Sequence, residues 1–210
     1  MSQPRWRKLA LAESAIAEGR ATVAGVDEAG RGPLAGPVVA AAVVLDLSLD
    51  WNGLDDSKQL TEIMRERLFA RVRQGARAFA WSVVGARAID ATDIRRASLT
   101  AMRRAVHRLR ITPEIALIDG DSRVPELRVA QVTVIQGDAT ALSIAAASIL
   151  AKVIRDRLMV RFDSVFPQYG FARHKGYGTP EHLAALRAHG PCRLHRFSFA
   201  PVHALELPLG

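Results

Sequence analysis

Asp27-Glu28-Ala29-Gly30-Arg31-Gly32-Pro33-Leu34-Ala35-Gly36-Pro37 sets two adjacent carboxylates at the end of an apolar run and follows them with a glycine-rich loop carrying one arginine. Carboxylates at a strand end can hold hard divalent cations, and glycines leave backbone amides bare enough to approach a polyanion. The pairing points to phosphodiester chemistry. Residues 22–26 before the loop and 38–45 after it are β-rich, so the loop reads as the connection between two strands of one sheet.

Beyond these strands, Thr61 can cap a helix whose Met64, Leu68 and Val72 recur at four-residue spacing and which ends at Gly75. Residues 79–84 return as a strand. A helix over 90–109 puts Ile94, Met102, Val106 and Leu109 on one face, with arginines 95, 96, 103, 104 and 108 largely opposite. Residues 115–118 form a short buried strand ending at Asp119, and 132–135 another that is closed by Gly137-Asp138. A long alanine-rich helix follows over 142–162, its small residues suited to close packing on a sheet. Early strands joined by loops can pair antiparallel, whereas the later ones need helical crossovers and should be parallel, which predicts a mixed α/β sheet. Thr179-Pro180 starts a short helix that stops before Gly190-Pro191, and the tail over 193–210 reads as an extended arm.

Lysine and arginine number 29 against 21 acidic residues, a formal charge of +8 with a pI near 10.7. Such a balance fits a nucleic-acid binder, the bland alternative being a solubilising surface. The single cysteine, Cys192, has no internal partner, which implies a reducing compartment. The first residues are interrupted by Glu13 and Glu18 too soon for a signal-peptide core. Apolar runs at 38–45 and 141–151 fall far short of the ~20 residues a membrane span needs. The expectation is a soluble cytoplasmic protein.

Asp27 and Asp119 each terminate an apolar strand. If those strands are parallel neighbours, both carboxylates reach the sheet edge where open α/β sheets place ligands. Asp138 follows a third strand in the same manner, and Glu28 has an extra methylene to reach inward although neighbouring strand residues face oppositely. Four converging carboxylates repel one another unless cations fill the gap, which argues for Mg²⁺ or Mn²⁺. Four independent strand ends are the structural alternative.

These residues resemble the ribonuclease HII family, the type 2 ribonucleases H that cut RNA in RNA/DNA hybrids and beside ribonucleotides embedded in duplex DNA. The likeness covers nearly the whole chain. It rests on Gly25 to Val38, Asp56-Ser57-Lys58, Ile118-Asp119-Gly120, Gly137-Asp138, Ile144 to Asp156, Lys175-Gly176-Tyr177-Gly178-Thr179 and His195 to Val202. The resemblance implies a ribonuclease H-like fold, a five-stranded mixed sheet flanked by helices. That domain would span 22–165, with a helical extension over 1–21 and, over 166–210, a small C-terminal helical region and arm that carries Tyr177.

By the same likeness Asp27, Glu28, Asp119 and Asp138 are the catalytic, metal-binding carboxylates, with two Mn²⁺ or Mg²⁺ ions about 4 Å apart astride the scissile phosphate. Asp27 would bridge both ions, Glu28 and Asp119 would serve one, and Asp138 the other. Direct attack by water leaves 3′-hydroxyl and 5′-phosphate ends, as expected of ribonucleotide removal in DNA replication and repair. Gly30-Arg31-Gly32 is the candidate reader of the 2′-hydroxyl through its main chain, with Arg31 on an adjacent phosphate. Tyr177 would stack on the sugar of the following deoxynucleotide, its bland role being a half-buried anchor. Lys58 and Lys152 look like phosphate or carboxylate partners, Asp156 is structural, and a monomer is the simpler expectation.

His174, His182, His189 and His195 lack the close same-face spacing of a zinc pair and read as surface or phosphate-contacting residues. Two other functions compete. A dinucleotide-binding loop could use Gly30, Gly32 and Gly36, but the third glycine comes one place late and Pro37 leads into a strand where a helix should continue. A basic binding module without catalysis would carry its carboxylates as a liability against phosphates unless metal neutralised them.

Overall fold

The computed structural model describes residues 4–54 and 60–204. Five strands, β1 (Val23–Ala29), β2 (Val38–Val44), β3 (Ala78–Val84), β4 (Ile115–Asp119) and β5 (Ala130–Val134), form one sheet in the order β3-β2-β1-β4-β5. β1 runs antiparallel to β2, and β2 to β3. The first of those steps is a loop, whereas the second carries a helix over 62–75. β4 lies parallel to β1, and β5 parallel to β4, as the intervening crossovers require.

Three helices cover one face: α1 (Arg5–Ile16), α2 (Glu62–Gly75) and α6 (Leu142–Asp163). Leu9, Leu68, Phe69 and Val72 meet Val43, Ala146, Ile149 and Leu150 there. α6 sits unusually close to the sheet because Gly25 has no side chain: a Cβ there would stand 2.1 Å from the Ser143 carbonyl carbon. The first turn of α6 has no side-chain cap of its own, and the Glu13 carboxylate of α1 accepts from the Ser143 amide at 2.6 Å. A buried acid thus meets exposed helix donors and the positive end of the helix dipole.

The opposite face packs Val26, Ala40, Ala42 and Ile118 against Ala101, Met102 and Ala105 of α4 (Ile94–His107). The helix expected over 90–109 starts later, as α4: a separate α3 (Ala86–Asp90) ends before it, and Asp93 caps α4, its carboxylate accepting from the Arg96 amide at 2.8 Å. β1 also runs further than expected, because β2 pairs with it through Glu28 and Ala29, so the acidic pair lies within the strand and not after it.

After β5 the chain makes the single turn α5 (Gly137–Thr140) before entering α6. The C-terminal elements α7 (Phe171–His174), α8 (Pro180–His189) and α9 (Ala200–His203) build a further apolar cluster with Leu34, Ala35 and Met159. Described residues of the tail are therefore no extended arm. Residues 193–204 fold back because they bring their own polar partners: the Phe197 and Ser198 amides donate to Asp90, and the Arg196 amide to the Leu34 carbonyl. Among the described residues no helix is long and apolar enough to cross a membrane.

Candidate active site

Parallel pairing of β1 with β4 sets Gly25 opposite Leu117 and Val26 opposite Ile118, so one step further Asp27 stands beside Asp119. Val26 and Ile118 both pack under α4, and strand alternation turns the two aspartates to the α6 side. Asp27 accepts from the Ser148 hydroxyl of α6 and, at 2.6 Å, from the Glu28 amide. Asp119 accepts from the Gly137 amide at 2.7 Å. Glu28 leaves the strand on the other face, yet its carboxylate reaches the same opening, where Arg31 approaches to 3.5 Å.

The opening is a cleft of about 350 Å³ lined by these three carboxylates together with Gly30, Arg31, Gly32, Ser148, Lys152, Arg155 and Tyr177. Burial first, then the charges of Glu28 and Asp119, hold the Asp27 carboxyl well above the usual range. Burial likewise raises Glu28, against the pull of Arg31, and Asp119 raises it further. The acids are thus gathered and strained by their own repulsion. A set of hard carboxylate oxygens suits a divalent cation such as Mg²⁺ or Mn²⁺. Among the described residues no three acidic, imidazole or thiol groups are already arranged around one ion. Asp27 and Asp119 each turn one oxygen to a backbone amide, and Glu28 faces Arg31.

Behind the glycine loop lie two buried arginines. Arg196 is wholly buried and donates to the carbonyls of Gly30 (2.5 Å), Arg31 (2.8 Å) and Gly36 (3.1 Å). Arg155 donates to Pro37 (3.0 Å), Ala35 (3.2 Å) and Lys175 (3.0 Å). Burial, and then the neighbouring Arg155, bring the Arg196 guanidinium down to about 9. Together they draw the loop carbonyls inward and leave the Arg31 side chain outward, 58% exposed. Gly30 has φ +103° and a Cβ there would meet Arg155 Nε at 2.1 Å, so the fold demands glycine. Gly32 is different. Its nearest neighbour would be Tyr177 Cε1 at 3.9 Å, so nothing in the packing requires glycine there.

Tyr177 is half-exposed over Gly32, with the Arg155 guanidinium carbon 5.9 Å from its ring centre. Lys152 lines the cleft but holds Asp156 at 2.8 Å across one helical turn. Asp138 is the one expected carboxylate outside the cleft lining. It is buried in the first turn of α5, which starts three residues after β5 ends, next to the Gly137 amide that holds Asp119. Lys58, with Asp56 and Ser57, lies outside the described residues.

The histidine reading needs correction. His182 and His195 are wholly buried and bonded to each other, and His174 is half-buried against them, because the C-terminal elements fold over α6 and need polar links inside; only His189 of the four is exposed. Sequence reasoning also passed over Ser148, Arg155 and Arg196 as individual residues. The available signal was an arginine set among apolar residues, Arg196 before Phe197 and Arg155 after Ile154.

A model of the ribonuclease HII family matches residues 24–202. Ribonuclease HII of Burkholderia mallei is 56% identical over 180 residues, 86% of this chain and 84% of that protein. The Bordetella pertussis protein of that name is 54% identical over 190 residues, 90% of this chain and 93% of the other. Ribonuclease H2 from Pyrococcus horikoshii superposes with a TM-score of 0.76 at 27% identity, covering 88% of this chain and 97% of that one. Bst-RNase HIII, solved in complex with Mn²⁺, shares the fold at a TM-score of 0.69 and 19% identity, covering 95% and 70%. With the sheet order, the acidic cleft and the sequence agreeing over most of its length, this chain belongs to the ribonuclease HII family, the RNase H endonucleases.

Proposed function

We propose that the protein hydrolyses the RNA strand of RNA/DNA hybrids and nicks duplex DNA on the 5′ side of embedded ribonucleotides, leaving 3′-hydroxyl and 5′-phosphate ends. The cellular task would be ribonucleotide removal in DNA replication and repair, carried out by a cytoplasmic monomer. One observation carries the reading: the β1–β4 register brings Asp27 beside Asp119 in a cleft that Glu28 also enters, under mutual repulsion.

Asp27, Glu28 and Asp119, with Asp138, are the residues that would hold two Mn²⁺ or Mg²⁺ ions. When bound, such ions acidify the attacking water and stabilise the departing 3′ oxygen. The chain's own residues do the rest. Main-chain groups of Gly30-Arg31-Gly32, held by Arg196, face the 2′-hydroxyl, and the outward Arg31 takes an adjacent phosphate. The bare Gly32 lets Tyr177 and the sugar lie close together. Lys152 can exchange Asp156 for a phosphate, and the likeness of its motif supports Lys58 as a phosphate or carboxylate partner.

The experiment is a duplex with a single ribonucleotide, offered with and without Mn²⁺ or Mg²⁺ to the parent and to Asp27→Asn. A metal-dependent nick 5′ of the ribonucleotide by the parent alone is the expected result. Equal cutting of an all-DNA duplex overturns the selectivity, and full activity in Asp27→Asn overturns the metal assignment.

A further inference from the structure

The Tyr177 loop rests on a chain of imidazoles. Cys192 N–H lies 2.9 Å from His195 Nδ1, and since an amide can only donate, that nitrogen is bare. The Cys192 carbonyl, at 3.3 Å from the same nitrogen, is the longer contact and does not change the assignment. His195 Nε2 therefore carries the proton and donates to His182 Nε2 at 3.0 Å. His182 is left with its proton on Nδ1, 2.8 Å from the Tyr177 carbonyl, which can only accept. His174 stacks on His182 with ring centres 4.5 Å apart and is itself fixed, accepting from the Gly176 amide and donating to the Tyr169 carbonyl. Each of the three rings thus has one consistent tautomer, and two of them, His195 and His182, lead from the tail to Tyr177.

We propose that His182 and His195 are positioning residues for Tyr177, a directional hydrogen-bond relay that sets its ring over Gly32. The inference rests on the reading of Tyr177 as a substrate-contacting residue. Burial, and then the nearby imidazoles, bring His195 down to about 4, and burial lowers His182, so both rings stay neutral under working conditions. The Tyr177 carbonyl also accepts from the Thr179 amide at 2.8 Å, and the Tyr177 amide donates to the His174 carbonyl at 2.9 Å. The Gly176 carbonyl in turn accepts from the amides of Leu34 (2.8 Å) and Ala35 (3.3 Å), so the two peptides flanking Tyr177 are held by five bonds, of which the one from His182 is the only side-chain bond and leads on to His195.

The direction of the relay makes it testable. In His182→Asn the new amide nitrogen falls where Nδ1 was and keeps a donor for Tyr177, whereas in His182→Gln the amide oxygen falls where Nε2 was, accepting from His195 and losing Tyr177. Each variant retains a buried polar group and loses one bond. The chain has two tyrosines, so 3-fluorotyrosine gives two ¹⁹F resonances, that of Tyr177 being identified by its absence in Tyr177→Phe.

His182→Asn should keep the Tyr177 resonance and stay within about threefold of the parent in kcat/KM on the single-ribonucleotide duplex. His182→Gln should move the resonance and lower kcat/KM by about tenfold to a hundredfold. If His182→Gln does not fold, ¹⁵N resonances of the imidazoles in the parent decide instead: His195 should carry its proton on Nε2 and His182 on Nδ1, and the opposite tautomer in either ring overturns the relay. Equal behaviour of the Asn and Gln variants in resonance and rate overturns the relay. A Tyr177→Ala protein that cuts the duplex as fast as the parent instead removes the substrate role of Tyr177, a separate failure.

Discussion

Replacing Gly25 by alanine tests whether the site depends on the close approach of α6 to β1. The added Cβ would lie 2.1 Å from the Ser143 carbonyl carbon, 2.2 Å from the Ile144 nitrogen and 2.4 Å from the Ser143 oxygen. Ordinary carbon contacts are about 3.5 Å or longer, so the helix must retreat by more than about 1 Å. Both walls are backbone, and no side chain can turn aside. Overpacking costs roughly 1–3 kcal/mol where side chains can adjust, and this site belongs at the top of that range, about 3 kcal/mol. For a chain of this size that lowers Tm by roughly 6–12 °C. Retreat of α6 also draws Ser148 away from Asp27, so cleavage should fall about tenfold or more even at temperatures where the variant is folded. Thermal unfolding followed by circular dichroism, with hybrid cleavage measured well below Tm, reads both effects. A Tm within about 2 °C of the parent, with full activity, would refute the reasoning.

Arg196→Lys retains charge but cannot serve three carbonyls with a planar fork, and at about 1.5–3 kcal/mol for each charged hydrogen bond lost it should cost about 3 kcal/mol or more in urea unfolding. Gly32→Ala should leave Tm within about 1 °C, since the nearest atom is 3.9 Å away and the backbone is ordinary there, yet cut single-ribonucleotide duplexes more slowly, as a cleavage assay would show. Asp27 and Glu28 hold protons more tightly folded than unfolded, so they favour the metal-free native state at low pH, and that contribution is lost as pH rises through their raised values. Urea midpoints of the metal-free protein should fall across that window, less so in Asp27→Asn, and a saturating divalent ion should reverse the fall.

Much of the architecture could be read from local pattern. The loop between 26 and 38 and the crossovers later in the chain gave antiparallel and parallel pairing, and Thr61 and Thr179 cap their helices as their spacing implies. Asp27 and Asp119 were legible because a strand ending in a carboxylate beside a parallel neighbour leaves few places for the charge to go. Asp93 was missed as a cap because Asp90, three residues earlier, offers the same carboxylate at the start of the pattern. His182, His195 and Arg196 were illegible for a stronger reason. Their burial comes from the tail returning across some 160 residues to the glycine loop, a long-range contact that no local period encodes.

The most direct measurement of the central claim is Mn²⁺ binding, followed as loss of the free-ion electron paramagnetic resonance signal, for the parent beside Asp27→Asn and Asp119→Asn. The parent should capture Mn²⁺, increasingly as pH rises and the carboxyls give up their protons, and each variant should bind at least about tenfold more weakly. Parent-like affinity in both folded variants would contradict the account, because the ion would then be held somewhere other than the cleft between β1 and β4.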